Sequence, residues 1–114
     1  MKDIPPLVEK FDDITEYRKD IYCIDIDGTL TEPHEGTPWE AVPIPSRIAK
    51  VNKLYDEGNT IVYWTARGSR KQINWEELTK QQLDSWGAKY HELKVDKPFY
   101  DLFIEDKALR IEEL

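Results

Sequence analysis

The sequence predicts a single α/β domain in which a parallel sheet is flanked by helices. Short apolar runs alternate with segments of helical periodicity, which is typical of parallel strands joined by crossover helices. The chain has 114 residues, enough for one hydrophobic core and too few for two. We divide it into an N-terminal extension, residues 1–20, and a folded domain, residues 21–114.

Three apolar runs are predicted strands. Residues 21–26 and 60–64 are almost continuously apolar and rich in β-branched and aromatic side chains, as in strands that are covered on both faces. Residues 101–104 form a shorter run that ends in acids. Residues 90–93 are a candidate for a further short strand.

Two helices are predicted between these runs. The first covers residues 45–57, where Pro45 suits an early helical position and Gly58 provides a stop. The second covers residues 74–86, with Asn74 as its N-terminal cap. The tryptophans at helical spacing in this segment are assigned to the core: Trp75 and Trp86.

Composition and charge exclude several classes of protein. With 16 basic and 23 acidic residues the net charge is −7, which disfavours a nucleic-acid partner. The single cysteine, Cys23, lies in an apolar run and is predicted to be buried and structural. Because one cysteine cannot form an intramolecular disulfide, the cysteine content fits a reducing compartment. No apolar stretch approaches the roughly 20 residues of a membrane span, and the N-terminus lacks a signal-peptide core. We expect a cytoplasmic protein with no membrane partner.

Polar residues follow each of the three predicted strands. Ligands of parallel α/β folds bind beyond the carboxyl ends of the strands, so these residues are expected to converge on one edge. Neighbouring acids repel one another unless a cation lies among them, and Mg²⁺, completed by substrate phosphate, is the expected ion. The converging residues are Asp25, Asp27, Gly28 and Thr29, then Thr65, Ala66 and Arg67, then Glu105, Asp106 and Lys107.

The spacing of two aspartates suits phosphoryl transfer. Asp25 can attack a phosphate monoester to give an aspartyl-phosphate, which water then hydrolyses. Asp27 can protonate the leaving alkoxide and later deprotonate the water. Because alternate residues of a strand share a face, the chain must leave the strand between the two acids, and Gly28 provides the flexibility for that.

These residues form a pattern that resembles the haloacid dehalogenase-like (HAD) phosphohydrolases. The run Asp25-Ile26-Asp27-Gly28-Thr29 resembles their first motif, and Thr65 resembles their second. Lys97, followed by proline, resembles the third motif, and the pair Glu105-Asp106 resembles the fourth. The four motifs occur in family order within residues 21–107. The run of residues 65–67 and the stretch of residues 86–108 resemble those of small family members from bacterial surface-polysaccharide and sugar-phosphate genes.

The resemblance implies a role for each acid of the site. Asp25 would be the nucleophile and a metal ligand. Asp27 would be the general acid and base, with its backbone carbonyl on the metal. Asp106 would bind Mg²⁺ directly and Glu105 through water, although the family more often has two aspartates here, which leaves open which acid touches the ion.

The resemblance also implies how phosphate is held. Thr65 would hydrogen-bond the phosphoryl oxygens, and Gly28 is assigned to substrate binding. Lys97 would pair with both the nucleophile and the phosphate, with Lys94 as the alternative motif lysine. Arg67 either reaches the phosphate or its leaving group, or forms a surface ion pair. Other polar and aromatic residues are assigned no role at the site. We expect Arg70 and Lys71 to be solvated, His34 to be exposed, Trp39 to be packed and His91 to be structural.

The chain has no room for the cap domain that covers the site in larger family members. We therefore expect the site to be open in the monomer. A neighbouring subunit of a homo-oligomer could cover it, a lid of residues 32–42 could close over it, or the substrate could be large. Light scattering tests for the homo-oligomer. The expected function is a Mg²⁺-dependent phosphatase acting on a small phosphorylated metabolite, a sugar or polyol phosphate. The alternatives are a phosphotransferase or mutase, a non-catalytic regulatory module, and one partner of a larger biosynthetic enzyme.

Overall fold

Three parallel strands and two helices form the computed structural model, which describes residues 19–67 and 75–114. Along the chain they are β1 (Ile21–Ile24), α1 (Pro45–Asp56), β2 (Thr60–Trp64), α2 (Glu76–Ser85) and β3 (Glu92–Lys94), with single 3-10 turns at Pro38–Glu40 and Ile111–Glu113. The predicted α/β class is confirmed. No helix in the described ranges is long and apolar enough to cross a membrane.

Some predictions concern residues outside the described ranges. These are the N-terminal extension up to residue 18, the cap at Asn74, and the solvated Arg70 and Lys71. Within the described ranges, β2 has the predicted bounds, and α1 ends one residue before the predicted end. The further short strand exists as β3, shifted towards Lys94.

The register of the sheet places the carboxyl ends of the strands at one edge. In the order β1-β2-β3, Ile24 lies opposite Tyr63 and Trp64 lies opposite Lys94. Asp25 follows β1 directly and Thr65 follows β2 directly, so parallel pairing carries both to the same edge.

The core lies between the central strand and the two helices. Ile61 and Tyr63 of β2 are fully buried, which fits the central position of the strand. Helix α1 contributes Ile48 and Val51, and α2 contributes Leu83. Trp86 packs against this core as predicted, whereas Trp75 packs edge-on against Trp39 instead.

The prediction that the first strand is covered on both faces is wrong. Its burial alternates, and Ile21 and Cys23 are exposed while Tyr22 and Ile24 are partly buried. Within the described ranges β1 pairs only with β2, so it is an edge strand with one poorly covered face. The predicted burial of Cys23 is wrong for the same reason.

The prediction of a strand over residues 101–104 is also wrong. Leu102 and Ile104 are 77% and 87% exposed, and the segment has no ladder pairing. Phe103 packs instead on Trp64 and Tyr100, with ring centroids 6.4 and 5.1 Å away. These aromatic contacts place the segment over the end of β2. A strand of only four residues would gain few ladder hydrogen bonds, so pairing in the sheet does not outweigh the ring contacts.

Candidate active site

A tight turn directly after β1 separates the two aspartates of the first motif. The backbone amides of Thr29 and Leu30 donate to the carbonyl of Ile26, at 3.1 and 2.8 Å. Gly28 has φ +82, in the left-handed region that favours glycine. The turn takes Asp27 off the line of the strand, as the chemistry of two differently oriented carboxylates requires.

Asp25 forms an ion pair with Lys97. The ammonium lies 3.3 Å from Asp25 Oδ1, and Thr29 Oγ1 donates to Asp25 Oδ2 at 3.5 Å. The side chain of Lys97 is only 10% exposed, and its backbone amide donates to the carbonyl of Thr65 at 3.2 Å. Lys94, the alternative motif lysine, is an exposed residue of β3. The geometry therefore places Lys97 beside the predicted nucleophile.

Three aromatic rings surround the Lys97 ammonium. The centroids of Trp64, Tyr100 and Phe103 lie 5.8, 5.1 and 5.6 Å from Nζ, within the range of cation–π attraction. Burial acts to lower the pKa of Lys97, but a hydrogen bond with Tyr100 and the charge of Asp25 outweigh it and raise that pKa. Lys97 is thus held as a cation.

Burial has the opposite consequence for Asp25. It raises the pKa of the Asp25 carboxyl above its ordinary value, although the charge and hydrogen bond of Lys97 act to lower it. The single ammonium beside Asp25 therefore does not fully offset the cost of burying the carboxylate. Additional positive charge at this position would favour the ionised nucleophile.

Arg67 and His34 hold the carboxylate of Asp27. Arg67 donates from Nε to Oδ2 at 2.9 Å and from Nη2 to Oδ1 at 2.8 Å, a bidentate pair. His34 Nε2 lies 3.0 Å from the same Oδ1. Burial acts to raise the pKa of Asp27, but the hydrogen bonds and charges of Arg67, and then of His34, outweigh it and lower that pKa.

Arg67 is itself buried and makes further hydrogen bonds beyond those to Asp27. It is 7% exposed, and its Nη1 donates to Thr79 Oγ1 at 3.0 Å and to Gln82 Oε1 at 2.6 Å. Arg67 therefore forms a buried ion pair rather than a surface one, and its assignment to substrate binding stays a prediction. The sequence did not point to Thr79 and Gln82, although their three-residue spacing beside the buried Leu83 puts them on one helical face.

The loop of residues 32–42 is connected to the same network. Its base is closed by the amide of Glu32, which donates to the carbonyl of Val42 at 2.9 Å. Gln82 Nε2 donates to the carbonyl of Pro38 at 2.8 Å, and Trp39 meets Trp75 with centroids 4.8 Å apart. His34, in the same loop, is partly buried against Asp27 rather than exposed as predicted.

Thr65 lies at the carboxyl end of β2 and is 1% exposed. Its amide donates to the carbonyl of Lys94 at 2.9 Å, and its Oγ1 accepts from the amide of Arg67 at 3.1 Å. In this arrangement the hydroxyl orders the turn that follows the strand. Phosphate contact by Thr65 stays a prediction.

Asp25, Gly28 and Lys97 line an open cleft of about 910 Å³ along the exposed side of β1. Glu105 also lines the cleft, and its carboxylate accepts from the amide of Lys107 at 2.8 Å. Asp106 is exposed and does not line the cleft. The four predicted ligands are oxygen donors of the kind that Mg²⁺ prefers. Residues 19–67 and 75–114 contain no group of three His, Cys, Asp or Glu side chains placed to hold one ion. Metal binding by the four predicted ligands stays a prediction.

Comparison with known proteins supports the fold but names no activity. The chain is similar to the crystal structure of a structural-genomics (MCSG) target from Vibrio cholerae, with a TM-score of 0.75 and 27% sequence identity. The similarity covers 82% of this chain and 85% of that one. No protein-family model matches the chain. No curated protein matches it either. The two chains therefore share an α/β fold over most of their lengths.

Proposed function

We propose that the chain is a phosphatase that hydrolyses a phosphate monoester through an aspartyl-phosphate on Asp25. The observation that carries the proposal is the pairing of Asp25 with the buried Lys97 at the carboxyl edge of a parallel sheet. A carboxylate next to a fixed cation can attack phosphorus while the cation stabilises charge on the transferring group. The motif resemblance to the HAD phosphohydrolases supports the same assignment.

The first step forms a bond between an Asp25 carboxylate oxygen and phosphorus. The bond from phosphorus to the ester oxygen breaks, and its electron pair leaves with that oxygen. Asp27, when protonated, gives its proton to the leaving oxygen, which departs as an alcohol. Lys97 stays beside Asp25 throughout and offsets negative charge on the phosphoryl oxygens.

The second step returns Asp25 to its starting state. Asp27, now a carboxylate, takes a proton from a water molecule whose oxygen attacks phosphorus. The bond between phosphorus and Asp25 breaks, which releases inorganic phosphate and regenerates the Asp25 carboxylate. The bidentate contact with Arg67 supports this base role, because it favours the ionised form of Asp27.

Mg²⁺ belongs to the proposal as a cofactor. When bound, it would supply positive charge beside Asp25 and the phosphate. The residues that fit it chemically are Asp25, the Asp27 carbonyl, Glu105 and Asp106. No step above depends on the ion.

The decisive experiment replaces the nucleophile. Asp25→Asn should abolish release of inorganic phosphate from p-nitrophenyl phosphate, a loss of at least about 10³-fold, since the amide cannot form the covalent intermediate. The wild-type chain, quenched in acid during turnover, should carry phosphate that hydroxylamine removes, as expected of an acyl phosphate.

The matched control is Asp56→Asn, which makes the same chemical change in an exposed ion pair with Lys89. It should retain full activity. An Asp25→Asn variant that still turns over would contradict the assignment of the nucleophile. Transfer of phosphate to an added alcohol, with none released to water, would favour a phosphotransferase instead.

A further inference from the structure

The Asp27 carboxylate is held from two sides, by the guanidinium of Arg67 and the imidazole of His34. Three hydrogen bonds reach it in the described ranges, two from Arg67 and one from His34. Two of these meet at Oδ1, whereas Oδ2 receives only the Nε bond of Arg67. A carboxylate has about four acceptor directions, so one remains at Oδ2.

Helix α2 holds the Arg67 guanidinium in position. Thr79 and Gln82 each accept a hydrogen bond from its Nη1, and Thr79 in turn donates to the carbonyl of Trp75 at 2.8 Å. Two side chains of one helical face therefore fix the guanidinium that binds Asp27. A planar fork held at both ends determines the plane and the direction of the carboxylate that it binds.

We propose that Arg67 is a positioning residue for the second step. By fixing the Asp27 carboxylate, it points the free acceptor site of Oδ2 towards the water that attacks the aspartyl-phosphate. The inference rests on the proposed function and adds to it a residue that acts through Asp27 rather than through the substrate. Lysine at position 67 would keep a positive charge but lose the fork, so the carboxylate would be free to rotate.

Positioning of a general base has a kinetic signature. With p-nitrophenyl phosphate the leaving group departs without a proton, so formation of the aspartyl-phosphate does not need Asp27. Its hydrolysis does need a correctly oriented base. Loss of orientation should therefore slow the second step alone and cause the covalent intermediate to accumulate. A merely structural defect would lower both steps, or the amount of folded protein, without that accumulation.

The test is rapid-quench kinetics of Arg67→Lys with p-nitrophenyl phosphate. We expect kcat to fall by about 10²-fold, in the range of general-base contributions. A burst of p-nitrophenolate of about one equivalent per chain should precede the slow phase, with a matching amount of hydroxylamine-sensitive phosphate on the protein. Gln82→Met removes one acceptor of Arg67 and the donor to the Pro38 carbonyl but leaves the fork, and it should show the same burst with a smaller loss, about 10-fold.

The control is Asn52→Ala, which removes two hydrogen bonds near the end of α2, with the carbonyl of Gly87 and the amide of Lys89, and none near Asp27. It should turn over at the wild-type rate without a burst, and thermal melting checks that every variant is folded. Slow turnover of folded Arg67→Lys and Gln82→Met without accumulated phosphoenzyme would overturn the inference, as would unchanged kcat in both. Failure of the proposed function appears separately, as a wild-type chain that forms no phosphoenzyme and releases no phosphate.

Discussion

Asp25 and Asp27 are two residues apart, yet their surroundings differ in kind. Asp25 has one ammonium beside it, and burial raises the pKa of its carboxyl. Asp27 is bound by a guanidinium and an imidazole, which lower the pKa of its carboxyl despite burial. The turn at Gly28 is what gives the two side chains different neighbours. The lowered pKa of Asp27 suits its role as the base of the second step, whereas the raised pKa of Asp25 is opposite to what an ionised nucleophile needs and calls for further positive charge beside it.

The lowered pKa of Asp27 predicts how stability depends on pH. A carboxyl whose pKa is lower in the folded than in the unfolded chain stabilises the fold above its ordinary value of 3.8. That contribution is lost as the pH falls through the folded pKa. The difference in melting temperature between the wild type and Asp27→Asn should therefore shrink below pH 3.8. A difference that stays constant or widens on acidification would contradict the pairing with Arg67.

Helix α2 contributes to the core and to the site at once. Leu83 is fully buried in the core cluster, and the neighbouring Gln82 contacts Arg67. Anything that loosens the packing of α2 on the sheet therefore also affects the network around Asp27. Stability and site geometry are coupled through this helix.

Leu83→Ala should destabilise the fold by about 2–5 kcal/mol, because it removes buried methyl groups and leaves a cavity. Denaturant unfolding followed by circular dichroism measures the change. Gln81→Ala, at an exposed position of the same helix, is the control and should stay within about 0.5 kcal/mol of the wild type. A loss below about 1 kcal/mol for Leu83→Ala would mean that α2 is not anchored by this residue.

The sequence predicted those elements whose patterns are local. Strand β2 and helix α1 were found almost to the residue because a buried central strand and a helix between Pro45 and Gly58 have clear signals. The edge position of β1 and the absence of a strand over residues 101–104 depend on pairing between distant segments. For the same reason the pair of Arg67 with Asp27, forty residues apart in the chain, has no local signal.

At the scale of the whole molecule, the acids predicted to bind Mg²⁺ come from separate regions. Asp25 follows the first strand, whereas Glu105 and Asp106 belong to the segment beyond the last strand. Motif order predicted their chemistry, but no motif fixes the distance between the two regions. The cleft between Asp25 and Glu105 is where a cation would have to bring them together.

Metal dependence tests whether these regions act as one site. A chelator should abolish phosphatase activity and added Mg²⁺ should restore it, because Lys97 alone does not offset the buried charge of Asp25. Asp106→Asn should raise the Mg²⁺ concentration needed for half-maximal activity more than Glu105→Gln does, if Asp106 touches the ion directly. Glu57→Gln, a change in an exposed helical ion pair, is the control. Full activity in chelator would contradict the metal assignment.

The exposure of Cys23 has a practical consequence. It is the chain's single cysteine and lines the same cleft as Asp25. A thiol-directed fluorophore or spin label would therefore attach at one position without any engineering of the sequence. From there it would face the space that separates β1 from Glu105, so its signal would report when that space narrows or fills.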